Sequence, residues 1–94
     1  MSEKNGSTPE QSAIERLKQI RSEIDNIDEK LLDLLNKRAA QCLEVGNIKS
    51  TFREAVFKPF REKEVLERLK KANPGLLPDE HLHSIYREIL QNCF

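Results

Sequence analysis

Arg38 and Gln41 stand where the apolar seam of a helix should continue. Leu17, Ile20, Ile24, Ile27, Leu31 and Leu34 recur at alternating steps of three and four, and the count resumes at Val45, Ile48 and Phe52. That is the spacing of one helix face turned toward a partner helix. A guanidinium on such a line is costly to bury unless an anion meets it, so Arg38 faces either a carboxylate of the protein or a ligand. Lys49 follows eleven residues later. Eleven steps of about 100° return to within about 20°, which points both cations the same way, about 16 Å apart along the axis. Long side chains at those positions can converge on one small anion. Arg21 lies about 25 Å from Arg38 on the same helix and cannot share that site within one chain. In an antiparallel pair of chains it can reach the Arg38–Lys49 region of the other copy.

Each of these cations also has an ordinary reading. Asp25 and Glu15 lie within helical reach of Arg21, and Glu44 is near Arg38 along the chain. Exposed pairs of that kind are common and contribute a few tenths of a kcal/mol. Arg61 and Glu62 fit the solvated first turn of a second helix as readily as a binding site. His81 and His83 are two apart on a helix, face different ways and make a poor ligand pair. The chain has no HExxH, no His/Cys metal spacing and no Gly-rich phosphate loop. No metal or cofactor is expected. An enzyme built from these residues would act by positioning and electrostatics.

The elements that hold these residues are helical. In 94 residues, 34% are charged and 5% aromatic, with no Trp, a balance that suits helices with solvated outer faces. Sixteen basic residues cancel sixteen acidic ones, so no global field favours nucleic acid or an anionic membrane, and any anion site must be local. Residues 1–12 read as a disordered polar tail without the apolar stretch of a secretory signal. No run approaches the roughly 18 apolar residues of a membrane span, and a cytoplasmic protein is expected. Cys42 and Cys93 lack a CxxC neighbour and read as reduced, buried, small apolar residues.

Between Glu10 and Lys58 there is no proline and one glycine, Gly46, so one long helix is expected from about Ala13 to Phe52. Gly46 costs about 1 kcal/mol against Ala there, and its plain reading is close packing against another backbone, ahead of a ligand that needs the space. The segment REAVFK connects to a second helix opened by Pro59, with Val65, Leu66, Leu69 and Ala72 as its stripe and Asn73-Pro74-Gly75 as its end. Pro78, Asp79 and Glu80 open a third, whose stripe is Leu82, Ile85, Tyr86, Ile89, Leu90 and Cys93. The third helix shows no C-cap. Forty helical residues span about 60 Å, whereas a compact chain of this size is about 30 Å across. Two short helices cannot cover the first one. A second copy can, so an all-α, intertwined homodimer of three-helix subunits is expected.

These residues resemble a known family, the all-helical (AroQ-type) chorismate mutases. The stretch IRSEIDNIDEKLLDLLNKRAAQCLEVGNIK is similar to the family's first-helix pattern, LRxxIDxIDxxLLxLLxxRxxLxxxVGxxK. VFKPFREKEVLERL resembles its second helix and LPDEHLHSIYREIL its third, so the likeness covers about residues 14–93 with the motif spacing kept. The resemblance implies a mutase domain over 13–94 that converts chorismate to prephenate in aromatic amino-acid (Phe/Tyr) biosynthesis, without cofactor or covalent intermediate. It further implies that Arg21 of the partner chain and Arg38 clamp the substrate's two carboxylates. Lys49 would donate to the ether oxygen, Glu62 would accept from the ring hydroxyl, and Arg61 would support it. Lys58 and Cys93 fall at binding positions where the family commonly has Asp and Ser. The contact implied at Lys58 is largely from the backbone, and a Cys93 thiol is a weaker donor than a hydroxyl.

Family members often carry a Gln or Glu at what would be position 97, beyond Phe94. With the uncapped third helix, this leads to the expectation of a domain cut from a longer chain, with a prephenate dehydratase domain following. Two other functions fit the same pattern. One is an isochorismate pyruvate-lyase of the same fold, against which Arg61-Glu62 and the VGxxK segment weigh. The other is a non-catalytic helical dimerisation or regulatory module.

Overall fold

The computed structural model describes residues 8–51 and 61–92. They form three helices and no strand: α1 (Pro9–Thr51), α2 (Arg61–Ala72) and α3 (Asp79–Gln91). The all-α expectation holds. The chain divides into two units, Met1–Leu34 and Leu35–Phe94.

In the first unit α1 begins at Pro9, ahead of the expected Ala13. Thr8 and Gln11 account for the difference. The Thr8 N–H donates to Gln11 Oε1 and the Gln11 N–H donates to Thr8 Oγ1, both at 3.0 Å. This is a reciprocal capping box, with Pro9 in the first turn where a missing N–H is harmless. Leu17, Ile20, Ile24, Ile27, Leu31 and Leu34 are all exposed, from 37% at Ile20 to 59% at Leu34. Their spacing makes one apolar face, exposed among the described residues.

In the second unit α2 packs on α3, and the buried apolar residues are Val65, Leu82 and Leu90. Val65 belongs to the stripe expected for α2, and Leu82 and Leu90 to that of α3. The connection is built on Asn73. Its Nδ2 donates to Leu77 O at 2.7 Å and to Asp79 Oδ1 at 3.3 Å, while its Oδ1 accepts from the Gly75 N–H at 3.1 Å. Gly75 has φ +109°, a conformation that only glycine adopts without strain. Pro78 is the α3 N-cap, its carbonyl accepting from the His81 and Leu82 N–H groups at 3.0 Å.

The expectation of an uncapped α3 is corrected. Asn92 is its C-cap, with its N–H donating to Ile89 O at 3.3 Å and its Nδ2 to Glu88 O at 3.4 Å. An asparagine amide can satisfy a terminal carbonyl without a following glycine, which is why the usual glycine signal was absent.

Candidate active site

A cavity of about 560 Å³ opens in the second unit between α1 and α3. From α1 it is lined by Arg38, Cys42, Gly46 and Asn47, with Leu35, Ala39 and Leu43 beside them; from α3 it takes Glu88, Ile89 and Asn92. Positions 35, 38, 39, 42, 43, 46 and 47 recur at steps of three and four, so one face of α1 makes one wall. The last turn of α3 makes the other.

Arg38 is half-buried in this wall. Its Nη1 donates to Ile89 O at 3.4 Å and lies 3.7 Å from Cys42 Sγ. The anion that sequence spacing offered from within the chain, Glu44, is not its hydrogen-bond partner. A carbonyl at the C-terminal end of α3 is, where the helix dipole is negative. A guanidinium carries five N–H donors. The contacts to Ile89 and Cys42 use one nitrogen of the fork, and an incoming carboxylate can engage the fork in bidentate fashion.

One expectation about this wall is met by no described contact and another is corrected. No described atom beyond its own turn lies within 4 Å of where a Gly46 Cβ would stand, so no described backbone of this chain packs closely on Gly46. It opens onto the cavity instead. Cys42 is half-buried and disulfide-bonded rather than a free thiol, and the other half of that bond lies outside the described residues. An isolated cysteine in a helical pattern carries no signal of a distant sulfur, since pairing depends on how the fold brings the two together.

Of the described site residues of the second unit, Lys49, Arg61 and Glu62 do not line the cavity. Lys49 is exposed in the last turn of α1. Because α1 is helical through both positions, it keeps its register with Arg38. Arg61 and Glu62 are exposed in the first turn of α2. Arg21, in the first unit, is exposed and pairs with neither Asp25 nor Glu15; Glu15 instead meets Lys18 at 4.0 Å, a pair open to solvent. Lys58 and Cys93 lie outside the described residues. His81 and His83 are exposed, as expected. Among the described residues no cluster of His, Cys, Asp or Glu could hold a metal ion.

Sequence reasoning missed Asn47, Glu88 and Asn92. Glu88 and Asn92 sit one helical turn apart, off the apolar stripe of α3, and their spacing was the available signal.

Three comparisons bear on this arrangement. The family model described as chorismate mutase type II matches residues 20–94. The chain is 43% identical over 84 residues to a bifunctional chorismate mutase/prephenate dehydratase of Aquifex aeolicus, covering 85% of this chain and 23% of that protein. The chain thus spans less than a quarter of that relative's length. Among solved structures, the chorismate mutase of Thermus thermophilus matches with a TM-score of 0.77 and 30% identity, covering 84% of this chain and 99% of that one. The Helicobacter pylori chorismate mutase, solved in complex with prephenate, matches with a TM-score of 0.73 and 34% identity, covering 84% and 86%.

Proposed function

We propose that this chain, which belongs to the chorismate mutase type II family, rearranges chorismate to prephenate in aromatic amino-acid biosynthesis. The observation that carries the reading is Arg38, a half-buried guanidinium in a cavity wall whose contacts among the described residues engage Nη1. The reaction breaks an ether C–O bond and forms a C–C bond in one pericyclic step, with no proton or covalent intermediate to manage. Catalysis then rests on holding the folded substrate and stabilising charge on the departing oxygen.

In this reading Arg38 grips one substrate carboxylate, held at its inner edge by the α3 carbonyl of Ile89. Lys49 donates to the ether oxygen. That contact strengthens as negative charge grows there, the condition for raising the rate rather than only binding substrate. Glu62 accepts from the ring hydroxyl with Arg61 beside it, and Lys58 and Cys93 complete the binding set. Arg21 of a second copy grips the other carboxylate. What supports the homodimer is the uncovered apolar face from Leu17 to Leu34, since an exposed stripe of that length is an interaction surface. A dehydratase segment in the same protein is supported by the bifunctional relative.

No helix among the described residues is long and apolar enough to cross a membrane, and we place the protein in the cytoplasm. There the glutathione poise works against a disulfide at Cys42, and both redox forms bear on activity. The test is to follow chorismate consumption and identify the product by mass spectrometry. Prephenate is expected, abolished by Arg38→Ala. Pyruvate release would assign a lyase, and no turnover in either redox form would remove the catalytic reading.

A further inference from the structure

Gly46 is the glycine among the residues lining the cavity, and nothing among the described residues gives it one of the usual reasons for a glycine. Among the described glycines positive φ belongs to Gly75, so no left-handed turn requires it. It stands inside α1, which continues to Thr51, so it is not a C-cap glycine. No described backbone of the chain approaches it: among the described residues a Cβ built there would meet nothing within 4 Å outside its own turn. A helix-interior glycine is nevertheless among the less stable choices available at such a position.

What Gly46 does provide is space at a particular place. It lies between Arg38 and Lys49 along α1, three residues before Lys49, on the cavity wall. We infer that Gly46 is a specificity-determining residue, one that lets the ring of a small dicarboxylate approach the α1 backbone between the two cations. A methyl group there would occupy the volume that the ring needs and push the ether oxygen away from Lys49. The inference rests on the chorismate reading of the same cavity and adds which residue sets its width.

The inference gives stability and function opposite signs, and the test reads both. Gly46→Ala should raise the melting temperature by about 4–8 °C, the shift expected of a residue that favours the helix. The same substitution should raise KM for chorismate, and Ki for a bicyclic dicarboxylate transition-state analogue, by about tenfold or more, the usual effect of one methyl in a fitted pocket. Gly46→Val should bind the analogue still more weakly. Sedimentation of each variant separates a filled cavity from a disturbed interface. An unchanged KM and Ki in Gly46→Ala, with the wild type active, would overturn this inference and leave the mutase reading intact. So would a Gly46→Ala whose only change is weaker self-association. A wild type that neither turns over chorismate nor binds the analogue overturns the mutase reading and this inference with it.

Discussion

Arg38 and Lys49 divide the work of the proposed reaction by geometry. Arg38 has a fork, and its Nη1 is anchored on Ile89 O at 3.4 Å. Replacing it with Lys keeps the charge but loses the planar pair of donors, so Arg38→Lys should rescue little of what Arg38→Ala loses. Measured as kcat/KM, both variants should fall by about 10²-fold or more. Recovery to near wild type in Arg38→Lys would mean that charge alone suffices. Lys49 needs only a point donor, and Lys49→Ala should lower kcat by about 10²–10³-fold while the analogue still binds through the arginines. Cys42, beside Arg38, is disulfide-bonded. The chain holds two cysteines, and a sulfur in a disulfide has no S–H to donate, so a thiol donor at Cys93 belongs to the reduced protein. A disulfide contributes about 2–4 kcal/mol. Thermal melts should therefore show reductant destabilising the wild type and leaving Cys42→Ala unmoved; equal melts with and without reductant would mean the bond does not persist in solution.

Local side chains close described helix ends, as Thr8 and Gln11 do for α1 and Asn92 for α3. Asn73 makes three hydrogen bonds across the connection to α3, and Gly75 supplies the φ of +109° that the turn needs. Gly75→Ala should cost about 1–3 kcal/mol in denaturant unfolding, through strain at that φ. Gly46→Ala should do the reverse. An equal response at the two glycines would mean that backbone conformation is not what separates them. The sequence made the three helices legible because their apolar periods are long and prolines and glycines punctuate them. It made Arg38 legible because a charge interrupted the seam of Leu31, Leu34 and Val45. The capping box at Thr8 was written in the sequence as Thr-Pro-Glu-Gln, but its polar composition reads equally as tail. Asn92 as a cap is local to α3 but lacks the usual glycine, whereas Glu88 in the cavity depends on how α3 lies along the last turns of α1. That is tertiary information, which periodicity within one helix does not carry.

At the scale of the molecule, the described residues bury little apolar surface: Val65, Leu82 and Leu90 form the core, while the α1 seam from Leu17 to Leu34 stays exposed. A chain this small gains much of its stability by association when its own core is thin. We expect a homodimer through that seam, and sedimentation showing a folded, fully helical monomer at micromolar concentration would remove it. The sharper test uses the site itself. If each site takes Arg21 from one chain and Arg38 from the other, then Arg21→Ala and Arg38→Ala homodimers are both nearly inactive. In a mixed dimer one site carries both lesions and the other carries neither. Random subunit exchange between equal amounts gives half mixed dimers, each with one intact site of two, so activity should return to about a quarter of wild type. Exchange should be confirmed by mass-tagging one variant, because absent mixing gives the same silence as a wrong geometry. Confirmed exchange with no recovered activity would put Arg21 and Arg38 in the same chain's site or Arg21 outside it. It would leave the exposed seam to be explained by some surface other than a shared catalytic one.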